Sequence, residues 1–227
     1  MEKENRYSRT LKLLGAEALE RLQNARIIVI GCGGVGSYAA EALARIGIGH
    51  ISLMDGDVVV ESNMNRQLVA LSSTLGRNKA EVMAERVRDI NPEAEVRAIP
   101  SFYKKKEDLN LGDYDWVVDA IDDVDGKTEL IKNAVSGDTK IVSSMGAAGK
   151  FATHFRSADI SETSVCPLAR VMRKRLRELG IEHLPVVYSE EKPQPRDGVL
   201  GTVSYVPGSA GLELAGYVIR QIAMSEG

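Results

Sequence analysis

Cysteine is scarce in this chain: only Cys32 and Cys166 occur among 227 residues, and neither belongs to a CxxC pair. That excludes a disulfide framework and the paired-cysteine zinc sites, and it suits a reducing compartment. Net charge is small as well, -3 at pH 7. This argues against nucleic-acid binding over the whole surface and leaves room for a local basic patch. Long apolar runs are missing: the most apolar stretch, near the C-terminus, is interrupted by Glu213 and Arg220, and Met1 to Arg6 carry no apolar signal segment. The expectation is a cytoplasmic protein with no membrane partner. Repeats, low-complexity tracts and long linkers are also absent. With 44% hydrophobic content, residues 1–227 are expected to form one domain around one sizeable core.

What is present is a nucleotide-binding unit in residues 26–55. An apolar strand runs into Gly31-Cys-Gly-Gly-Val-Gly36, a helix follows, and a second strand ends at Asp55. Gly31, Gly33 and Gly36 supply the GxGxxG spacing. Such glycines let the backbone turn tightly, approach a phosphate without a Cβ in the way, and seat the helix on the sheet. The free N–H groups and partial positive charge at the helix start favour an anion. Asp55, at the carboxyl end of its strand, is placed to accept hydrogen bonds from ribose hydroxyls. The glycine spacing alone fits nicotinamide and flavin sites equally, so the nucleotide must be identified elsewhere in the chain.

The rest of the chain alternates strands and helices, which implies an α/β fold: Rossmann-like, doubly wound and mostly parallel, with some antiparallel strands toward the C-terminus. Residues 1–25 are expected to form an N-terminal helical arm, with an amphipathic helix over about 8–23 that bends at Gly15. Residues 26–149 form the nucleotide-binding core. Within it, 56–75 is a long polar connection of the kind that carries function. A helix over about 77–90 stops at Asn91-Pro92, because proline cannot continue the ladder. Strands are expected near 95–99, 115–120 and 139–145, with a helix at about 124–135. Residues 150–227 form a substrate-binding extension: a strand at 150–156, a helix at 167–179, a mobile loop over the active face at 185–195, and a last helix at about 209–224.

A triphosphate needs cations and usually a carboxylate for metal, beyond what a nicotinamide dinucleotide requires. Arg66 and Lys79 flank the long connection, and Asp122 and Asp123 follow the strand at 115–120; all can project from the strand ends, where open α/β sheets bind ligands. Each alone also fits a blander role, as a solvated cation or a helix cap. Their order carries more weight: the glycine turn, Asp55-Gly-Asp57, Asn65-Arg66-Gln67, Gly76-Arg-Asn-Lys79, then Asp119-Ala-Ile-Asp122-Asp123. In this order the chain resembles the adenylyltransferases that activate ubiquitin and small sulfur-carrier proteins, from Arg6 to about Gly149. The resemblance implies ATP and Mg2+ as cofactors. It implies a nucleotide-binding set of Gly31, Gly33, Gly34, Gly36, Asp55, Asp57, Asn63, Arg66, Gln67, Lys79 and Asp122, with Asp122 also serving the metal. The opening Arg6-Tyr-Ser-Arg9 matches too, which implies a homodimer in which Arg9 reaches the partner's ATP site. Arg9, Arg66, Lys79 and Asp122 are then the catalytic set.

The paired CxxC sites and the thioester cysteine of that family's protein-activating members are missing. Cys32 reads as a packing residue and Cys166 as structural. Through Ala80 to Val87, Asn91-Pro92-Glu93 and Cys166-Pro-Leu-Ala-Arg170, the chain is more similar to a branch that dehydrates threonylcarbamoyladenosine in tRNA. That branch activates a free carboxylate as an acyl-adenylate. The modification's own urea-like group then closes onto it, so no protein nucleophile is needed. A physical feature agrees: Arg170, Arg173, Lys174 and Arg177 fall at i, i+3, i+4 and i+7, opposite Leu168, Met172, Leu176 and Leu179. Such a face can follow a phosphate backbone, or it can be merely solvated. Adenylylation of a sulfur carrier's C-terminal glycine, a nicotinamide oxidoreductase and an ATP-sensing module stay open at this point. So do a bound monovalent cation and sulfur-transfer partner proteins.

Overall fold

The computed structural model describes residues 4–225; the first three residues of the expected arm and the last two of the expected extension lie outside them. Its centre is one seven-stranded sheet. The strands are β1 (Arg26–Ile30), β2 (His50–Met54), β3 (Glu95–Ile99), β4 (Trp116–Asp119), β5 (Lys140–Ser144), β6 (Arg156–Asp159) and β7 (Pro185–Tyr188), in the spatial order β3-β2-β1-β4-β5-β7-β6. All neighbours pair in parallel except β6 and β7. The fold is therefore the doubly wound, mostly parallel α/β sheet that the alternation predicts.

The helices are α1 (Ser8–Leu14), α2 (Ala16–Asn24), α3 (Gly36–Ile46), α4 (Lys79–Ile90), α5 (Val124–Ser136), α6 (Pro167–Glu178) and α7 (Tyr205–Ala223). Alternate residues of each strand feed opposite faces. Ile27 and Val29 join α2, α3, α4 and α7 in one apolar cluster; Ile28 and Ile30 join α5 and α6 in the other. Because both faces are covered, β1 is an uninterrupted apolar run rather than an alternating one.

Several sequence expectations need correction. The opening helix does not bend at Gly15 but breaks there: the residue takes φ +83°, outside helical space, and α2 starts afresh with Ala18, Leu19 and Leu22 buried. Residues 185–195 are not a loop throughout. Val186, Val187 and Tyr188 are fully buried in β7, and Pro185 is tolerated because it stands at the first position of the strand. The strand expected at 150–156 lies later: of that stretch only Arg156 belongs to β6. The last helix begins at Tyr205, four residues early, since Pro207 sits in its first turn, where a missing N–H breaks no helical bond. Leu179 is not on the apolar face of α6; it caps the helix and is 46% exposed.

The connection at 56–75 is ordered by its own bonds. Two short 3-10 turns, Glu61–Asn63 and Ser72–Thr74, and a bridge between Val58 and Asn78 hold it across the mouth of the sheet. Asn78 then caps α4 by accepting from the N–H groups of Ala80 and Glu81. This is why α4 starts at Lys79 and not at Arg77.

Candidate active site

Strand order reverses between β1, with β2 on one side, and β4 on the other. A crevice must open there at the carboxyl ends of the strands. A cavity of about 910 Å³ occupies this place, lined by residues that follow β1, β2, β3, β4 and β5 and by the starts of α6 and α7. A volume of this size suits a nucleotide-sized ligand.

The glycines divide by task. Gly31 has φ +93°, and a Cβ on it would lie 2.6 Å from the Ala120 carbonyl oxygen, so the turn is pressed against the end of β4. A Cβ on Gly36 would stand 1.7 Å from the Gly31 oxygen. Gly36 therefore closes the turn from below and does not line the cavity. Gly33 and Gly34 do line it. A Cβ on Gly33 would meet only the Gln67 amide nitrogen, 3.8 Å away, so its bareness keeps space open for a ligand.

Asp55 is 8% exposed. Its Oδ2 accepts the Cys32 N–H at 2.7 Å and its Oδ1 the Asp57 N–H at 2.8 Å. The acid thus braces the glycine turn itself, a task the sequence does not announce. Burial pushes its carboxyl up; the two N–H groups and the Lys79 charge pull it back without cancelling the rise. Beside it, burial and the Asp55 charge raise the Cys32 thiol well above its ordinary range, with only Lys79 opposing. A buried, protonated thiol is no nucleophile.

Lys79 is buried, and its Nζ donates to Asp57 Oδ2 at 2.9 Å. Arg66 donates to the Ser62 carbonyl and to Asn65 Oδ1, both at 2.8 Å. Lys79, Asp57, Arg66 and Gln67 all line the cavity. Asn63 does not: its Oδ1 accepts the Val60 N–H and its carbonyl accepts the N–H groups of Arg66 and Gln67, so it holds the turn that presents them. Gln67 Oε1 is buried with no hydrogen-bond partner among the described residues. An orphan acceptor of this kind costs about 1–3 kcal/mol unless a ligand or water satisfies it.

After β4, Asp122 is exposed on the lining, while Asp123 caps α5 through the Gly126 N–H at 2.7 Å and Asp125 is paired with Arg175. No cluster of three metal-binding side chains occurs among the described residues. One free carboxylate fits Mg2+, which keeps several waters and takes its other ligands from phosphate. The sequence reading missed other parts of the wall: Ser101 to Lys104 after β3, and Ser144 to Ala148 at and beyond the end of β5. The rule that ligands sit beyond strand ends would have found both segments once the strands were placed.

Two expected residue groups lie elsewhere. Arg9 is on α1, 84% exposed, with only Glu4 near it at 3.8 Å. Its neighbours tie that helix down: Tyr7 hydroxyl donates to Asn91 Oδ1 at 3.0 Å, and Arg6 donates to the Ile90 carbonyl at 3.1 Å. Those are the far ends of α4 and its loop, at the edge of the sheet opposite the cavity. On α6, Arg170, Arg173, Lys174 and Arg177 border a shallow cleft together with Glu178. Arg170, Lys174 and Arg177 are exposed. Arg173 is turned inward, donating to Thr163 Oγ1 and, at 2.8 Å, to the Thr163 carbonyl. It anchors α6 rather than standing free. Leu168, at the start of the same helix, belongs to the cavity wall.

The comparisons with known proteins agree with this geometry. The ThiF family model matches residues 7–225. The tRNA threonylcarbamoyladenosine dehydratase of Bacillus subtilis (strain 168) is 41% identical over 240 residues, covering 96% of this chain and 94% of that protein. The enzyme of the same name from Escherichia coli (strain K12) is 43% identical over 176 residues, 76% of this chain and 65% of that relative's length. A crystal structure of E. coli tRNA N6-threonylcarbamoyladenosine dehydratase in complex with ATP superposes with a TM-score of 0.88 at 36% identity, covering 96% of this chain and 93% of that one. The chain belongs to the ThiF family, and its likeness within that family extends over nearly its whole length to the tRNA threonylcarbamoyladenosine dehydratases.

Proposed function

We propose that this protein uses ATP to dehydrate, and so cyclise, N6-threonylcarbamoyladenosine in the anticodon loop of tRNA through an acyl-adenylate. One observation carries the reading: a single cavity joins a glycine turn flanked by Arg66 and Lys79 to the start of the basic helix α6. A triphosphate laid along the turn meets the amides of Gly33 and Gly34, while a polynucleotide following Arg170, Lys174 and Arg177 delivers its nucleoside past Leu168.

The threonyl carboxylate attacks the α-phosphorus, and pyrophosphate leaves. Arg66, Lys79 and the turn amides stabilise the charge that develops on the phosphate oxygens, the largest single contribution such a site can make. Mg2+, held by Asp122 and the phosphates, would add charge neutralisation. The urea-like group of the modification then attacks the acyl carbonyl and expels AMP, so the nucleoside loses the elements of water. Catalysis here is positioning and electrostatics. The burial of both Cys32 and Cys166 is in keeping with a reaction that forms no bond to the protein.

Arg9 completes the site in trans. From the opposite edge of the sheet it serves a cavity only in a second copy of the chain, so the active species is a homodimer. The segments then divide the labour: the arm at 1–25 lends a cation to the partner, 26–149 holds ATP, and 150–227 holds tRNA. The reaction belongs in the cytoplasm. Among the described residues no helix is long and apolar enough to cross a membrane.

The test incubates the purified protein with ATP and tRNA carrying the modification, in parallel with a small sulfur-carrier protein ending in glycine. AMP release and a nucleoside lighter by one water, read by mass spectrometry, are expected in the tRNA arm. AMP production in the carrier arm alone would overturn the assignment.

A further inference from the structure

The two sides of the cavity are carried by different strands. The loop after β4 presents Asp122, and the loop after β5 presents Met145 to Ala148. What ties these loops together is one buried ammonium. Lys127 on α5 and Asp119 at the end of β4 are both 0% exposed. Lys127 Nζ donates to Asp119 Oδ2 at 2.7 Å, to Ser143 Oγ at 3.1 Å and to the Ser144 carbonyl at 3.0 Å. All three of its protons are used. Ser143 Oγ donates to the same Asp119 oxygen at 2.6 Å.

The network reaches the cavity on both flanks. Asp119 Oδ1 accepts the Ile121 N–H at 3.0 Å, fixing the chain one residue before Asp122. Between them, the Ala120 carbonyl is the surface on which Gly31 rests. On the other flank, the Ser144 carbonyl is held at the point where the chain leaves β5 for the cavity wall. Stability alone does not ask for this arrangement, because apolar residues of similar volume usually serve a buried site as well as an ion pair or better. The core positions on the same face, Val117, Leu130, Ile131 and Ile141, are apolar.

We propose that Lys127 is a positioning residue for adenylylation: it holds the phosphate-bearing flank of the cavity in register with the flank that receives the acid. The proposal rests on the adenylylation reading above. In-line attack needs the carboxylate oxygen within about 3–3.5 Å of the phosphorus, and a shift of about 1 Å costs roughly 100-fold in rate. Lys127 touches neither reactant. It sets the distance between the elements that do.

The test compares wild type, Lys127→Arg, Lys127→Met and the double variant Asp119→Asn/Lys127→Met. The single methionine variant leaves Asp119 buried and uncompensated, so it is expected to lose stability; the double variant removes that charge and should recover it. If the double variant is folded, its single-turnover rate of AMP formation on modified tRNA should remain down roughly 100-fold. Its ATP affinity should stay within about twofold of wild type, and its melting temperature near wild type, which separates a positioning defect from a folding defect. Lys127→Arg should recover part of the rate. Hydrogen exchange should rise at 120–123 and 144–148 with the strands still protected. A double variant that turns over like wild type, or that loses rate and ATP affinity together, overturns the proposal. Wild-type protein inert on modified tRNA would defeat the reaction itself, while the exchange measurement still reads Lys127's hold on the two loops.

Discussion

Alanine at Gly31 and at Gly33 should give opposite phenotypes, although both belong to one turn. At Gly31 the new methyl would sit 2.6 Å from the Ala120 oxygen, and the residue already has φ +93°. The backbone conformation costs about 1–2 kcal/mol for a residue with a side chain, and the overlap with a fixed carbonyl adds about 1–3 kcal/mol. Together this is about 2–5 kcal/mol. For a domain of this size each kcal/mol lowers the melting temperature by roughly 2–4 °C, so Gly31→Ala should melt roughly 4–20 °C below wild type. At Gly33 the φ is ordinary and the nearest atom, Gln67 Nε2, is 3.8 Å away. There alanine restricts the unfolded chain and should be neutral or stabilising by about 0.4–1 kcal/mol. Its methyl, however, enters the space where, on the proposed reading, phosphate approaches the amides. Overlap of about 1–3 kcal/mol with a ligand corresponds to roughly 5–150-fold weaker ATP binding. Thermal melts and calorimetric titration with ATP read both quantities. Gly31→Ala melting with wild type, or Gly33→Ala binding ATP with undiminished affinity, would refute this division of the turn.

Arg66→Ala and Asp122→Ala should each cut AMP formation by about 100- to 1,000-fold, the usual effect of losing one group that stabilises transition-state charge. Both should melt close to wild type, since Arg66 bonds only to its own turn and Asp122 is exposed. Wild-type turnover by either variant would remove that residue from the site. Reversing charge at Lys174 and Arg177 should weaken tRNA binding without changing ATP affinity, and it should flatten the salt dependence by about 0.7–0.9 for each phosphate no longer neutralised. Arg173 is unsuitable for this test because it anchors α6. Glu41 supplies a pH test: burial pushes its carboxyl up, but hydrogen bonds from Arg86 and Arg45 outweigh that and leave it below the ordinary range. Its stabilisation is present above the ordinary glutamate value and is lost as pH falls through the lowered one. Glu41→Gln should therefore melt earlier than wild type at pH 7, with the gap closing in acid; a gap independent of pH would count against the ion pairs Glu41 makes with Arg45 on α3 and Arg86 on α4.

Much of this was legible from the sequence because it rests on local rules. The apolar run of β1, the glycine spacing and the proline after Asn91 each constrain the backbone within a few residues, and the elements around them fall where expected. The misplacements come from residues whose state is decided at a distance. Val186 and Val187 make a strand because β5 and β6 offer them partners on both sides, with Tyr188 paired to β6; flanked by prolines and charges, they read as loop. Arg173 has the spacing of a surface cation and the bonds of an anchor. Asn63 carries no local sign that it builds the turn beneath Arg66. Least visible is the pair Asp119 and Lys127, eight residues apart, which reads as an ordinary acid and base until β5 brings Ser143 and Ser144 against them.

On the proposed reading, charge inside the cavity also bears on the order in which the ligands bind. Lys79 and Arg66 line the cavity from the segment after β2, while Asp122, Asp123, Asp125 and Glu129 line it from the end of β4 and from α5; of these four, Asp125 is paired with Arg175 and Glu129 with Lys132. A triphosphate carries several negative charges, and at effective dielectric constants near 20 each unit pair about 4 Å apart exchanges about 4 kcal/mol. On the proposed reading, the Asp122 carboxylate, unpaired among the described residues, disfavours bare phosphate beside it, while Arg66 and Lys79 favour it. On the same reading, a substrate carboxylate entering from α6 meets Asp122 as well, so its approach is favoured only after Mg2+ or the cations have offset that charge. Binding should accordingly be ordered, nucleotide first: prebound ATP with Mg2+ should tighten binding of the modified tRNA, and reciprocal tightening of ATP by tRNA must follow from linkage. Titrations in both orders check this, and affinities that ignore each other would refute it.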